Sequence, residues 1–195
     1  MSKTMIITGA SRGIGAAAAR MAGAEGYAVA VNYLNAHEAA EVVVADIIEA
    51  GGTAIAVQAD MSREDDVLLM FDRVDKELGT LSVLVNNAGI VAPACRVDAM
   101  SLERLERIFN TNVIGYFLCA REAIKRISRV HGGNGGSIIN ISSAAARLGA
   151  AGEYVDYAAS KGATDTMTTG LASEVAKEGI RVNAVRPGPI HTDIH

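Results

Sequence analysis

The chain has 195 residues, half of them hydrophobic, and carries a formal net charge of −4. This length suffices for one domain with a full core. The negative charge and the lack of a basic run exclude a surface built for nucleic acid, and no apolar stretch is long enough to span a membrane. Cys95 and Cys119 lie far apart, and the N-terminus passes directly into a strand-like run. We therefore expect reduced thiols, no signal peptide and a cytoplasmic location.

Short β-rich segments alternate with longer amphipathic segments. The predicted strands are residues 5–8, 28–32, 53–58, 82–86, 137–141 and 181–186. The predicted helices are residues 13–25, 36–50, 62–78, 102–129 and 155–178, with Ser62 capping the third. The alternation predicts right-handed βαβ crossovers and an α/β fold, in which a doubly wound parallel sheet has helices on both faces. We expect a single domain over residues 1–195, with its ligand beyond the carboxyl ends of the strands.

The first strand is followed by a glycine-rich turn at residues 8–15, with Gly9, Gly13 and Gly15. Their spacing differs from the commoner G-x-G-x-x-G pattern. Glycine also suits any tight turn, but a position between a strand and an Ala-rich helix favours a nucleotide. The backbone would approach a pyrophosphate closely, and the helix would offer its free N–H groups.

Tyr157 and Lys161 are four residues apart, so on a helix they share one face. A phenol titrates near ~10, and a nearby cation lowers that pKa. The pair therefore predicts proton exchange with a carbonyl or an alcohol. Tyr154 has Ala158 four positions later and lacks such a partner, so we expect a pocket or core residue there.

Two further motifs, at residues 86–89 and 186–188, complete a recognisable set. In their order and spacing the chain resembles the short-chain dehydrogenase/reductase family, in its single-domain NAD(P)-dependent branch. The run 147–161 is similar to bacterial sugar dehydrogenases and 3-oxoacyl reductases, which does not select a substrate. The resemblance implies a Rossmann-like sheet of order 3-2-1-4-5-6. It also implies hydride transfer between a nicotinamide cofactor and a carbonyl or secondary alcohol.

The resemblance also assigns catalytic roles. Tyr157 would exchange the proton, while Lys161 would lower the pKa of Tyr157 and hold the nicotinamide ribose. Ser143 would orient the substrate oxygen. Asn112 would help to hold a proton-relay water, or would satisfy a helix kink.

The choice of serine stays open. Ser143 stands fourteen positions before Tyr157, one more than is usual in the family. We interpret this as a one-residue insertion within residues 147–153, with Ser142 as the alternative donor.

The cofactor is predicted to be NADP(H), with NAD(H) as the alternative. The second strand ends at Asn32 and Tyr33 without the carboxylate that binds a ribose diol. Arg12 would pair with a 2′-phosphate, unless it is a solvated loop charge. The predicted cofactor-binding residues are Gly9, Ser11, Arg12, Gly13, Ile14, Gly15, Asn32, Asp60, Met61, Asn87, Ala88, Gly89, Tyr157, Lys161, Pro187, Gly188, Ile190 and Thr192.

For three of these residues we expect a particular contact. By resemblance, Asp60 contacts adenine and Thr192 holds the nicotinamide carboxamide. Asn87 lies beside the adenosine or mainly braces the sheet.

The remaining expectations concern partners and the C-terminus. His191, Asp193 and His195 could ligate a metal, but we expect solvated side chains and no metal site. By resemblance, helices 102–129 and 155–178 pair in a homodimer or homotetramer; from the sequence alone, a solvated face has equal weight. The charged residues expected in a solvated or interfacial stripe are Glu103, Arg104, Arg107, Arg121 and Glu122.

Family members usually continue through a lid, a further helix and a seventh strand, so we expect this chain to lack those parts. Two functions follow. One is an oxidoreductase acting on a small carbonyl or alcohol. The other is a truncated, catalytically weak nucleotide-binding scaffold that acts through oligomer contacts.

Overall fold

Six parallel strands form one sheet, in a computed structural model that describes residues 3–190. Their order is β3-β2-β1-β4-β5-β6, which confirms the predicted doubly wound topology. The strands are β1 (Lys3–Ile7), β2 (Tyr27–Tyr33), β3 (Thr53–Gln58), β4 (Leu81–Asn86), β5 (Gly136–Ile141) and β6 (Ile180–Val185). The order reverses between β1 and β4, and this is where such sheets open a crevice for ligands.

Within residues 3–190, seven α-helices connect or follow the strands. They are α1 (Gly13–Ala24), α2 (His37–Glu49), α3 (Glu64–Glu77), α4 (Leu102–Phe109), α5 (Gly115–Ile127), α6 (Ala145–Leu148) and α7 (Val155–Val175). Short 3₁₀ turns occupy Val97–Ala99, Arg129–His131 and Ala176–Glu178.

The core has two layers because successive strand residues point to opposite faces of the sheet. Ile6 faces a cluster that includes Phe71 of α3, Tyr116 of α5 and Met167 of α7. The next residue, Ile7, faces a cluster supplied by α1 and α2. Both faces are therefore covered, as a parallel sheet requires.

Two predicted helix boundaries are wrong. Ser62 does not cap α3, because its backbone N–H and its hydroxyl both donate to Asp60 Oδ1, at 2.8 and 2.7 Å. The helix begins two residues later, after Arg63. The last predicted helix ends at Val175 and continues only as the 3₁₀ turn.

The predicted helix over 102–129 is also interrupted. A π-helical turn, Asn110–Ile114, separates α4 from α5. At its centre, the Asn112 amide accepts from Ile90 N at 2.8 Å and donates to Ile90 O at 2.9 Å. These bonds turn the asparagine toward the loop after β4, and such single π turns often occur at functional sites.

Within residues 3–190, no helix combines the length and the apolar character needed to cross a membrane.

Candidate active site

The carboxyl ends of β1 and β4 are tied together at the point where the strand order reverses. The Thr8 hydroxyl accepts from the backbone N–H groups of Asn87 and Ala88, both at 2.9 Å. The Asn87 side chain donates to the carbonyls of Thr8 and Gly9, at 2.8 and 3.0 Å. This supports the sheet-bracing interpretation of Asn87, although the residue also lines the cavities described below.

Two positions of the glycine turn cannot take a side chain, because a Cβ would collide with neighbouring atoms, and Gly9 also has a positive φ. Gly9 has φ +61°, and a Cβ there would lie 2.9 Å from Ala88 Cα. A Cβ on Gly15 would lie 2.6 Å from Asn87 Nδ2. No side chain caps the N-terminus of α1 after Arg12, so its first N–H groups are available to an anion.

A cavity of about 640 Å³ lies over this turn. The predicted cofactor residues on its wall are Gly9, Ser11, Arg12, Gly13, Ile14, Asn32, Asp60, Met61, Asn87, Ala88 and Gly89. The wall also includes Tyr33, the last residue of β2, and residues 34–36 after it, together with Arg107 and Thr111; none of these was predicted to belong to the site.

Asn32 braces the turn and does not extend freely into this cavity. The residue is buried, its Oδ1 accepts from Gly9 N at 3.0 Å, and its Nδ2 donates to Val57 O and Ala59 O. The donor side of the amide is thus fully engaged by backbone, and Asn32 sets the shape of the turn that a nucleotide would contact.

A second cavity of about 520 Å³ lies beyond β5. The predicted residues on its wall are Ile14, Asn87, Gly89, Ser143, Tyr157, Lys161, Pro187, Gly188 and Ile190. Ile14, Asn87, Gly89 and Val91 line both cavities, so the two form one groove from the glycine turn to Tyr157.

The Lys161 side chain is buried at the floor of this groove. Its ammonium donates to Ile141 O at 2.7 Å and to the Tyr116 hydroxyl at 3.3 Å. Burial lowers its pKa to about 8, although Asp165 opposes the shift. Gly89 leaves the ammonium open toward the groove, since a Cβ there would lie 3.4 Å from Nζ.

The expectation that Lys161 lowers the pKa of Tyr157 is not met by this arrangement. Burial raises the pKa of the phenol, Tyr154 adds to the rise, and a hydrogen bond with Ser143 opposes it. The ammonium lies 5.7 Å from the centroid of the Tyr157 ring and is turned toward Ile141 O. Tyr154 packs edge-on against Tyr157, with 5.9 Å between ring centroids.

The two serines after β5 have different environments. Ser142 is buried, and its hydroxyl donates to Lys161 O at 3.2 Å. Both serines line the second cavity, and the Ser143 hydroxyl accepts from Ala145 N at 3.1 Å and opposes the rise in the pKa of the Tyr157 phenol. This geometry favours Ser143 as the serine that would contact a substrate.

Asn112 is fully buried and lies behind the groove wall, near Gly89. Its Nδ2 donates to Ser160 Oγ at 3.1 Å, and Ser160 Oγ donates to Tyr157 O at 2.7 Å. The described contacts of the Asn112 side chain are therefore with protein groups of the loop after β4 and of α7. They support the kink interpretation and leave the water relay as a prediction.

Comparisons with known proteins agree with this geometry. The profile of the family described as short chain dehydrogenase matches residues 3–195. The chain belongs to this family. It is 55% identical over 190 residues to the uncharacterized oxidoreductase YgfF of Escherichia coli K12, covering 97% of this chain and 77% of that protein.

Two more members of the short-chain dehydrogenase family illustrate its range. The 3-oxoacyl-[acyl-carrier-protein] reductase FabG of Staphylococcus aureus Mu50 is 39% identical over 194 residues, which cover all of this chain and 77% of that protein. A short chain dehydrogenase from Burkholderia cenocepacia J2315, solved in complex with NADP, superposes with a TM-score of 0.92 at 38% identity, over 99% of this chain and 76% of that one. The protein is thus an oxidoreductase of the dehydrogenase/reductase type.

Some of the predicted site residues are not on the cavity walls, and others lie outside the described residues. Gly15 and Asn112 do not line either cavity. Thr192 and the terminal histidines lie outside residues 3–190. Among the residues the structure describes, no group of three His, Cys, Asp or Glu side chains could hold a metal ion.

The predicted charged stripe is wrong at two positions. The Arg104 side chain is only 13% exposed and pairs with Asp156. Glu122 is 4% exposed and is neutralised by Arg121, Lys125 and Arg126. Arg104 looks solvated in the sequence because its partner Asp156 comes from a distant element. The partners of Glu122 lie beside it in the same helix, and what the sequence does not show is that this side chain is buried.

Sequence reasoning also missed Tyr116 and Asp156. Tyr116 contacts Lys161 from 45 positions away, and Asp156 meets Arg104 across 52 positions. The one indication in the sequence that Asp156 belongs to the site is its position directly before Tyr157.

Proposed function

We propose that this protein is an NADP(H)-dependent oxidoreductase that interconverts a small carbonyl compound and a secondary alcohol, in a single dinucleotide-binding and catalytic domain. One observation carries the proposal: the groove from the glycine turn to Tyr157 is continuous, with a shared wall at Ile14, Asn87, Gly89 and Val91. A dinucleotide bound along it would have its pyrophosphate at the start of α1 and its nicotinamide near Lys161.

The residues present fit such a cofactor. The uncapped start of α1 offers N–H groups to a phosphate. Lys161 keeps its ammonium at the floor of the groove, where it would donate to the nicotinamide ribose. When bound, the nicotinamide supplies or accepts the hydride.

Side chains of the protein would donate the proton and bind the substrate oxygen. Because burial raises its pKa, Tyr157 keeps its proton at neutral pH and is suited to donate it to a carbonyl oxygen. The Ser143 hydroxyl, which lines the same cavity as Tyr157, would donate to the same oxygen and stabilise its developing charge. Asn112 would hold Ser160, and through it the backbone of Tyr157.

Charge at the far end of the groove favours NADP(H) over NAD(H). Arg12 and Arg107 are exposed and line this end. Asp60, the single carboxylate among its described lining residues, has Oδ1 engaged by Ser62. A 2′-phosphate would therefore meet cations, and the related protein from Burkholderia cenocepacia binds NADP.

Small apolar residues dominate the substrate end of the groove. They include Ala144, Ala145, Leu148, Ala150 and Ala151. Such a wall suits the apolar part of a small carbonyl substrate.

The proposed partner surface is a homodimer or homotetramer contact through α4–α5 and α7. Ile114 and Phe117 are about half exposed on this side and would be covered by a second copy. The cytoplasmic location stays a prediction from the sequence.

The test is NADPH oxidation by the purified protein with a panel of aldehydes and ketones, compared with Tyr157→Phe. We expect turnover with at least one carbonyl, and a loss of ~10² or more in Tyr157→Phe with NADPH binding retained. NADPH binding without turnover on any carbonyl or alcohol would instead support the nucleotide-binding scaffold.

A further inference from the structure

Both backbone hydrogen-bonding groups of Tyr157 are held by neighbouring side chains. Its N–H donates to Asp156 Oδ1 at 2.9 Å, and its carbonyl accepts from Ser160 Oγ at 2.7 Å. Because Tyr157 lies in the first turn of α7, its N–H has no partner within the helix. Asp156 supplies that partner from the adjacent position.

The Asp156 carboxylate is itself fixed by Arg104 of α4. Arg104 Nε donates to Oδ2 at 2.7 Å and Nη2 donates to Oδ1 at 3.2 Å, while the Asp156 side chain is completely buried. This fork permits a single orientation of the carboxylate. Burial acts to raise the pKa of Asp156, but hydrogen bonds from Arg104 and from the Tyr157 amide outweigh it and lower the pKa.

Arg104 also holds the loop that follows β4. Its Nη1 donates to Pro93 O at 2.6 Å. Two residues later, Cys95 N donates to Glu153 O at 2.7 Å, just before α7. One guanidinium thus connects α4, this loop and the start of the helix that carries Tyr157.

We propose that Arg104 is a positioning residue, which acts through Asp156 to set where the Tyr157 phenol lies relative to Ser143. The inference rests on the proposed function, in which Tyr157 exchanges the proton. A displacement of about 1 Å at such a group can reduce the rate of the chemical step by ~10². The surface ion pair between Arg20 and Asp46 provides a matched control, because it has the same 2.7 Å separation, is 43% exposed and joins α1 to α2 on the opposite face of the sheet.

The experiment compares Arg104→Met, Arg104→Lys and Arg20→Met. For Arg104→Met we expect kcat to fall ~10- to 100-fold, while the dissociation constant for NADPH changes less than about twofold because Arg104 does not line the cofactor end of the groove. Arg104→Lys keeps the charge but loses the fork, so it should recover part of kcat. Arg20→Met should match the wild type.

Amide hydrogen exchange supplies a readout that does not need turnover. Exchange at Tyr157 and its neighbours in α7 should accelerate at least about tenfold in Arg104→Met and stay unchanged in Arg20→Met. If the wild type turns over no carbonyl, the proposed function fails, while the exchange data still decide whether Arg104 holds Tyr157.

If Arg104→Met does not fold, Asp156→Asn takes its place. The asparagine can still accept from the Tyr157 N–H, so we expect a folded protein. It has only one oxygen and no charge, so it loses the fork with Arg104 and no longer holds the amide in place; we therefore expect reduced kcat and faster exchange in the first turn of α7. The inference is overturned if exchange at Tyr157 is unchanged in the folded variant. It is also overturned if kcat falls only in proportion to the folded fraction.

Discussion

The buried ammonium of Lys161 should lower the free energy of unfolding of this protein. Its ammonium is almost completely buried, and burial lowers its pKa from 10.5 to about 8. At about 1.4 kcal/mol per pKa unit, keeping this group charged costs ~3 kcal/mol at pH 7. Replacing Lys161 with Met removes that cost. It also removes hydrogen bonds to Ile141 O and Tyr116, worth ~1 kcal/mol, and Ile141 O keeps the Tyr116 hydroxyl as a donor.

We therefore expect Lys161→Met without cofactor to be more stable than the wild type by ~2 kcal/mol at pH 7. For a chain of this length this corresponds to a rise in Tm of ~4–8 °C. The same variant should be inactive, because we expect Lys161 to be needed for activity although it lowers the stability of the protein.

The gain should depend on pH with a defined sign. Between pH 8 and 10.5 the unfolded lysine is protonated while the folded lysine has lost its proton, so the stability of the wild type relative to the variant rises with pH. The advantage of Lys161→Met is thus largest below pH 8 and disappears by about pH 10.

The assay is urea unfolding of both proteins from pH 6.5 to 10, with the exposed Lys76→Met as the control that should show no such trend. A variant less stable than the wild type at pH 7, or a difference that stays constant with pH, would mean that the buried ammonium does not destabilise the fold.

Three further outcomes are expected. The value of kcat/KM for NADPH should fall as pH rises through about 8, because Lys161 loses its proton there; a profile flat to pH 10 would contradict this. Ser143→Ala should reduce kcat by ~10². Ser142→Ala should keep the kcat of the wild type and lose ~1 kcal/mol of stability, since the described hydrogen bond of its hydroxyl is with Lys161 O. Steady-state kinetics and unfolding curves distinguish the two variants, and the reverse result would make Ser142 the donor. Arg12→Gln should raise KM for NADPH ~10-fold and leave KM for NADH within about twofold; equal effects on both cofactors would remove Arg12 from the 2′-phosphate site.

Local patterns in the sequence predicted the sheet and most of the groove. Each βα turn lies next to its strand, so the positions of Gly9, Asn87 and Ser143 follow from where β1, β4 and β5 end. The pair of Tyr157 and Lys161 needs only one helical turn. Such short-range features predict the strands and the edge of the sheet on which side chains gather, whereas the strand order was expected only from the family resemblance.

The parts that could not be predicted depend on contacts between distant segments. Arg104 has a charged neighbour in the sequence at Glu103 and looks like part of a solvated face, and only the approach of Asp156 buries it. Asn112 breaks the helix because the loop at Ile90 comes within hydrogen-bonding distance. Burial raises the pKa of Tyr157, which is the opposite of the shift expected from the nearby Lys161, and spacing alone does not reveal burial.

The groove that contains Tyr157 should transfer a hydride from NADPH to a carbonyl carbon. The experiment incubates the protein with a reactive ketone from the panel and with NADPH carrying deuterium at the transferred position of the nicotinamide. Mass spectrometry of the product should show one deuterium on the carbinol carbon, with none formed by Tyr157→Phe. If the ketone stays unchanged and all deuterium remains in the cofactor, across the whole panel, the protein does not transfer a hydride to a carbonyl.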